Sequence, residues 1–301
     1  MRRRWHGNWR AGEGFEATVE LFRRIQAPRA AIAAALVSPA SCRFCCVGAH
    51  HGVAIDEGSR FEIGSLTKTF TAALLREMAH RGEVRLPITP RMPLGILLRP
   101  CNPYAWLRPD TALRWLRHRR LHDVGLRYAY SNLGVGLLGA VLAHRLGTDL
   151  EPALRQRLLN PLMLHSTGFR SAGRTVVRPH TAAGLPMPAW DMQDLAGAGG
   201  LRASLADVAR WVQAHLRPQP PLHSDVIEPR LRIDERRSVG LGWHLLHHVQ
   251  GDIAWHNGAT GGSRSFAAFN RNRGQGVVLL SNYSVPLDSL GLKLLGLMPP
   301  F

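Results

Sequence analysis

The stretch Phe61-Glu-Ile-Gly-Ser-Leu-Thr-Lys-Thr-Phe-Thr-Ala-Ala-Leu-Leu75 places Ser65 and Lys68 at the start of an apolar run with helical spacing. Residues three apart share one face of a helix, so the Lys68 amine can reach the Ser65 hydroxyl. Unpaired backbone N–H groups at the helix N-terminus favour negative charge that develops beside Ser65. A serine needs a neighbouring base to become a nucleophile, and a desolvated lysine can be that base. The spacing therefore predicts a nucleophilic serine.

Composition bears on whether this S-x-x-K motif arose by chance, since its four positions hold common residue types. All but two of the 38 Lys and Arg residues are arginine, and the two lysines are Lys68 and Lys293. Arginine cannot be deprotonated in a protein, whereas a buried lysine can. We infer that position 68 holds a lysine for its pKa.

The length and composition indicate a globular protein. The chain has 301 residues, 45% of them hydrophobic and 20% charged, which allows one large domain or two closely packed lobes. The net charge of +17 suits an anionic partner such as nucleic acid. The arginines are nevertheless spread along the chain without a block of five or six like charges, so nucleic-acid binding is not expected.

Cysteines and apolar runs predict neither a metal site nor a membrane span. Cys42-x-x-Cys45 resembles half of a metal-binding motif, but no second pair of ligands follows it, and Cys46 and Cys101 complete no site. We expect buried strand cysteines and no metal or other cofactor. No apolar run approaches the ~20 residues of a transmembrane helix. The N-terminus shows no evident secretory signal, and the sequence does not predict the cellular compartment of the protein.

The order of predicted elements gives the fold class. Strands are expected over residues 31–37 and 43–47, and again over 239–246, 253–256, 265–270 and 277–282. Helices are expected over residues 15–25, 65–81, 111–121, 133–146, 150–159, 205–216 and 287–297. Strands near both chain ends with helices between them predict an α+β fold, with one antiparallel sheet built from both ends, flanking helices and a helical middle lobe. We expect a single domain over residues 1–301, with a sheet lobe of about 15–82 and 231–297 and a helical lobe of about 83–230.

Three motifs occur in a fixed order along the chain. They are Ser65-x-x-Lys68, Tyr130-Ser131-Asn132, and His256-Asn257-Gly258 followed by Ala259-Thr260-Gly261-Gly262. This ordered set resembles the serine β-lactamase and penicillin-binding protein superfamily. The Tyr and His versions of the motifs are similar to those of class C β-lactamases, D-alanyl-D-alanine carboxypeptidases and related esterases. The similarity extends from about residue 61 to residue 282.

The resemblance implies a role for each motif residue. Ser65 would form the acyl-enzyme, and Lys68 and Tyr130 would share its proton. Asn132 would hydrogen-bond the substrate amide and help to hold Lys68. The implied substrate is a small molecule or peptide: a β-lactam, a D-Ala-D-Ala peptide or a small ester.

The third motif is implied to bind the substrate through His256, Gly258 and Ala259. The backbone N–H groups of Ser65 and Ala259 would form the oxyanion hole. Gly258 would let the strand approach the substrate without a Cβ in the way. An unperturbed histidine titrates near pH ~6.5, so His256 is expected to lose its charge, and its hold on a substrate carboxylate, between pH 6 and 8. Arg264, Arg271 or Arg273 could replace that charge.

The sequence also departs from the family pattern. Residues 86–109 are rich in proline and lack the usual turn that borders the cleft, and residues 161–164 lack a glycine that the family commonly has. A local opening of this proline-rich segment is expected. Two alternatives therefore stay open: a catalytically weak or inactive penicillin-binding-like protein that binds ligands, and a basic surface-binding protein that uses this fold.

Overall fold

A computed structural model of the chain describes residues 15–16, 19–20, 30–84, 128–170 and 176–296. The predicted segment 86–109, the predicted helix 111–121 and Cys101 lie outside the described residues. Of the predicted helix 15–25, the described residues are Phe15, Glu16, Val19 and Glu20, all helical.

Twelve strands in the described part of the chain form one large sheet and two short pairs. In chain order they are β1 (Ile32–Val37), β2 (Cys42–Val47), β3 (Ala49–His50), β4 (Val53–Ala54), β5 (Arg60–Glu62), β6 (Arg202–Ser204), β7 (Leu231–Arg232), β8 (Arg237–Val239), β9 (His244–Leu246), β10 (Ile253–Ala259), β11 (Arg264–Asn270) and β12 (Gln275–Ser281). The large sheet is antiparallel and has the order β2-β1-β12-β11-β10-β9-β8-β7, while β3 pairs with β4 and β5 with β6. Because β1 lies between β2 and β12, both chain ends build one sheet, which confirms the predicted α+β class.

Five described α-helices accompany the sheet. They are α1 (Thr67–His80), α2 (Asn132–Arg145), α3 (Leu150–Leu154), α4 (Leu205–Leu216) and α5 (Asp288–Leu294). A 3₁₀ turn, Gly64–Leu66, runs directly into α1, and a π-helical segment, Arg155–Leu159, continues α3. Ser204 begins α4 as an N-cap whose Oγ accepts a hydrogen bond from the Asp207 N–H at 3.2 Å. None of the described helices has the length and apolarity that a membrane crossing requires.

The sheet packs an apolar layer against each face. Ala33, Ala35 and Val37 of β1 enter the layer that contains α1 and α4. The alternate residues Ile32, Ala34 and Leu36 enter the layer that contains α5. This period of two explains why β1 is apolar at every position, since side chains on both faces of the strand are buried.

Two details differ from the sequence prediction or add to it. The predicted strand 239–246 is two strands, β8 and β9, because the chain turns between them and buries Trp243 in the core. Helix α4 falls within the predicted helical lobe, yet its residues Val208 and Trp211 pack on the sheet. The division into two lobes stays a prediction.

Candidate active site

The nucleophile candidate Ser65 lies in the 3₁₀ turn, one turn earlier than the α-helix proper. Gly64 before it has a φ of 49°, and a Cβ at this position would lie 2.6 Å from the Ala259 nitrogen. Only glycine accepts both this conformation and this approach. The turn is therefore held directly against the C-terminal end of β10.

Lys68 is the buried partner of Ser65. Its side chain is 4% exposed, and its Nζ lies 2.7 Å from Ser65 Oγ and 2.6 Å from the Ala198 carbonyl oxygen. Burial lowers the pKa of Lys68 from 10.5 to about 7, because desolvation disfavours the ammonium form. The Ala198 carbonyl can only accept, so Nζ donates there, and the lone pair of a neutral amine is left for the Ser65 hydroxyl.

The second motif lies close to the buried Lys68 amine. The Tyr130 side chain is 45% exposed, and its ring centroid lies 4.8 Å from Lys68 Nζ. Ser131 is the N-cap of α2, where its Oγ accepts from the Gly134 N–H at 2.8 Å, and Asn132 is the first helical residue. The capping serine thus fixes where the helix starts, and with it the positions of its two neighbours.

The end of β10 presents a backbone edge. Strand β11 pairs with all seven residues of β10, whereas β9 pairs only with Ile253–Trp255. Within the described chain, residues 256–259 therefore have an unpaired edge on the β9 side. A methyl group at Gly258 would overlap the Ile63 carbonyl oxygen, which also accepts from Ser265 Oγ at 2.7 Å. Strand β10 thus lies in backbone contact with the residues before Ser65.

These elements enclose a pocket of about 360 Å³. It is lined by Ser65, Tyr130, Asn132, Trp190, Asn257, Gly258, Ala259, Arg264, Ser265, Pro286, Leu287 and Asp288. Five of the seven residues that the sequence predicts for the site line the pocket, and the other two, Lys68 and His256, are buried beside it. Trp190 and Asp288 were not predicted from the sequence as site residues. Trp190 is an aromatic residue in a proline-rich loop, Asp288 is a single carboxylate at the start of a helix, and neither belongs to a motif.

Glu62 is a further residue that sequence reasoning missed, although it stands three positions before Ser65. Its carboxylate accepts from the Trp190 N–H at 2.5 Å and from Thr260 Oγ1 at 2.6 Å. Burial raises the pKa of Glu62, and these two hydrogen bonds oppose that shift. Glu62 therefore ties the Trp190 wall of the pocket to the turn that follows β10.

His256 differs from the expectation of a titrating histidine. Its side chain is 3% exposed, and Nδ1 lies 2.6 Å from the Asn257 carbonyl oxygen, so Nδ1 carries the proton. Burial, followed by the positive charge of Lys68, holds the pKa of His256 well below 6.5. This environment contradicts the expected loss of charge between pH 6 and 8, because burial and the nearby Lys68 lower the pKa of His256 and favour the neutral imidazole.

A substrate-charge ratio tests this conclusion about His256. Two esters are compared, one that carries a carboxylate group and one that carries a neutral carboxamide group in its place. We expect the ratio of their kcat/KM values to stay constant from pH 6 to 8. The shared titration of Lys68 cancels in the ratio. His256→Lys, which installs a cation, should raise the ratio. A wild-type ratio that falls severalfold over this range would show that His256 titrates there.

A second serine, histidine and aspartate cluster lies at the β8–β9 end of the sheet. Ser238 Oγ is 2.8 Å from His247 Nε2, and His247 Nδ1 is 3.1 Å from Asp252 Oδ2. Ser238 is only 2% exposed, so its hydroxyl is closed to a substrate. We regard this cluster as structural, and it supplies a control serine. No group of three or more metal-binding side chains occurs among the described residues.

The sequence model of the beta-lactamase family matches residues 97–294, which include the second and third motifs. A beta-lactamase of Escherichia coli K12 is 26% identical, covering 77% of this chain and 78% of that protein. Penicillin-binding protein 4 of Amycolatopsis lactamdurans is 25% identical, covering 78% of this chain and 75% of that protein. A beta-lactamase/D-alanine carboxypeptidase from Pseudomonas syringae superposes with a TM-score of 0.80 at 19% identity, covering 95% of this chain and 98% of that one.

Proposed function

Since the chain belongs to the beta-lactamase family, we propose that it is a serine hydrolase that forms an acyl-enzyme on Ser65. The observation that supports this most is the buried Lys68 amine, whose pKa falls to about 7, 2.7 Å from the Ser65 hydroxyl. An amine of this pKa is deprotonated in a large fraction of molecules near neutral pH, as a general base requires. The names of two relatives, a beta-lactamase and a beta-lactamase/D-alanine carboxypeptidase, support a β-lactam or a D-Ala-D-Ala peptide as substrate. A small ester is the third candidate, from the resemblance of the motifs alone.

In the proposed reaction Ser65 Oγ attacks the substrate carbonyl carbon while its proton passes to Lys68 Nζ. The negative charge on the carbonyl oxygen is stabilised by the backbone N–H groups of Ser65 and Ala259, and one such donor contributes roughly 3–4 kcal/mol. Tyr130 carries the proton to the leaving group, whose bond to the carbonyl carbon breaks. Water then attacks the ester of Ser65 and releases the acid.

The open edge of β10 is proposed to hold the acyl side of the substrate. Residues 256–259 offer backbone groups that an extended substrate can pair with, as an added strand would. Asn132, which also lines the pocket, is the proposed partner of the substrate amide. Neutral His256 offers an Nε2 lone pair and so would bind the substrate or Tyr130 as an acceptor.

Covalent labelling tests the proposal. Intact mass after incubation with a fluorophosphonate or a β-lactam should show one adduct per chain, and peptide mapping should place it on Ser65. Ser65→Ala should abolish the adduct, whereas Ser238→Ala, which changes the closed second cluster, should keep it. An adduct of equal yield on the Ser65→Ala protein would remove this serine from the mechanism.

A substrate panel then selects among the candidate activities. Nitrocefin, a D-Ala-D-Ala peptide and p-nitrophenyl acetate report β-lactamase, carboxypeptidase and esterase activity. An adduct on Ser65 that does not turn over with any of the three would instead favour a penicillin-binding-like ligand-binding protein.

A further inference from the structure

Glu62 is the last residue of β5, three positions before Ser65, and both of its carboxylate oxygens accept hydrogen bonds. Oε1 accepts from the Trp190 N–H at 2.5 Å, and Oε2 accepts from Thr260 Oγ1 at 2.6 Å. Glu62 is 3% exposed and Thr260 is 5% exposed. Because both side chains are buried, water has little access to replace a lost hydrogen bond, and the donor would be left unsatisfied.

The backbone of Trp190 is held from both sides by one pair of opposite charges. Glu62 and Arg202 are direct partners in the register of β5 and β6. Glu62 accepts from the Trp190 N–H, and Arg202 Nη2 donates to the Trp190 carbonyl oxygen at 3.0 Å. Hydrogen bonds to charged groups are stronger than those between neutral groups. The position of Trp190, which lines the pocket, therefore depends on this charged pair.

The second oxygen of Glu62 holds the turn between β10 and β11. Thr260 Oγ1 donates to Glu62 and accepts from the Ser263 N–H at 3.1 Å. The Thr260 N–H in turn donates to the Ser263 carbonyl oxygen at 3.1 Å. Ala259, whose backbone N–H is the proposed oxyanion donor, directly precedes this turn. Glu62 therefore fixes the chain one residue away from that donor.

A carboxylate suits these contacts better than an amide of the same shape. Its two oxygens accept the bonds from Trp190 and Thr260 at the same time. A glutamine has one acceptor oxygen, and its other terminal atom is a nitrogen that only donates. Glu62→Gln would therefore leave one of the two donors facing another donor inside the protein, which destabilises the contact.

We propose that Glu62 is a positioning residue that fixes the distance between the Trp190 wall of the pocket and the oxyanion donor Ala259. A substrate acyl group that rests on Trp190 then presents its carbonyl oxygen to the Ala259 N–H. Trp190 and Ala259 line the pocket, whereas Glu62 does not, so Glu62 acts only through the groups that it holds. This proposal rests on the proposed acyl-enzyme function of the same pocket.

An ester and a thionoester with the same acyl and leaving groups test the proposal. Sulfur accepts hydrogen bonds more weakly than oxygen, so a well-placed oxyanion donor favours the ester. Glu62→Gln should lower the kcat/KM of the ester about 10- to 100-fold, mainly through kcat, as a small displacement at a reacting centre can do. The preference for the ester over the thionoester should fall about tenfold, because the thionoester depends less on the oxyanion donor.

Variants of Thr260 show whether the effect passes through this contact. Thr260→Val removes the hydroxyl and nearly keeps the shape, and it should reproduce the loss of ester preference. The double variant Glu62→Gln/Thr260→Val should be within about threefold of the more damaged single variant, because residues that share one contact are not additive. Thr260→Ser keeps the hydroxyl and should retain the ester preference. Glu235→Gln changes an exposed glutamate and is the control, with both substrates unchanged.

Two results would overturn the proposal. One is an equal loss of kcat/KM for ester and thionoester in a folded Glu62→Gln protein, since a general structural defect does not distinguish oxygen from sulfur. The other is a double variant whose loss is the product of the two single losses. A melting temperature for each variant identifies misfolding, and if Glu62→Gln does not fold, the ester and thionoester comparison on Thr260→Val decides in its place.

These outcomes are distinct from a failure of the proposed function. If Glu62 does not position the oxyanion donor, a fluorophosphonate would still label Ser65 in the wild-type protein, and at the same rate in Glu62→Gln. If the proposed function fails, the wild-type protein itself would carry no adduct on Ser65.

Discussion

Lys68→Arg is expected to be as inactive as Lys68→Ala, with kcat/KM about 100- to 10,000-fold below wild type. The amine must release and accept a proton during each cycle, and a guanidinium stays protonated at every accessible pH. The wild-type kcat/KM for a neutral ester should rise from pH 6 to 8 with a midpoint near the Lys68 pKa of about 7. The sign follows because only the deprotonated amine, which dominates above that pKa, can take the Ser65 proton.

The chain supplies a matched control for this substitution. Lys293, the only other lysine, is exposed on α5, so Lys293→Arg should keep full activity. Lys68→Met, similar in length and uncharged, should be inactive yet folded, which separates proton transfer from packing. If Lys68→Arg retained a third or more of wild-type activity, Lys68 would act only as an electrostatic partner.

Gly258→Ala should also remove most activity, with kcat/KM reduced about 100-fold or more, as a displacement of roughly 1 Å at a reacting centre can do. The added methyl would overlap the Ile63 carbonyl oxygen and push β10 away from the turn that holds Ser65. The proposed oxyanion donor Ala259 would move with it. Overpacking of this kind costs about 1–3 kcal/mol of stability as well.

The measurements for Gly258→Ala are kcat/KM on a neutral ester and the melting temperature. Gly58→Ala is the control, because a methyl there meets only the Asp56 side chain, at an ordinary 3.5 Å. The control should change neither quantity appreciably. Activity within threefold of wild type in Gly258→Ala would show that β10 and the Ser65 turn need not be in close contact.

Local spacing made Ser65 and Lys68 predictable from the sequence. Both lie within one turn of chain, and an i, i+3 relation survives the change from an α-helical to a 3₁₀ turn at Ser65. Strands β1 and β12 were predictable for a similar reason, since both are short apolar runs between turns. Features that depend on a few neighbouring residues could therefore be predicted from the sequence.

The surroundings of each side chain could not be predicted in the same way. The lowered pKa of His256 has two causes, its burial and the charge of Lys68, which is far away in the sequence. A motif of three residues contains no information on either. The Trp190 wall is held by Glu62, 128 residues earlier in the chain. Arg264 was one of three candidate arginines until the register of β10 and β11 placed it in the pocket. The pKa of His256, the position of Trp190 and the location of Arg264 all depend on contacts between residues far apart in the sequence, which local sequence patterns do not reveal.

The central position of β1 in the sheet has a consequence for how the chain reaches its folded state. The Ala31 N–H is bound by the Asn282 side chain, 251 residues later, so β1 gains its second neighbour only when the last strand docks. Contacts of such separation form slowly, because a long loop must close first. Until then the uncharged run Ala30-Ala-Ile-Ala-Ala-Ala-Leu-Val37 has one unpaired edge and two uncovered apolar faces. An exposed strand edge of this kind can pair with another molecule, so we expect the chain to be most prone to aggregation before its last strand docks.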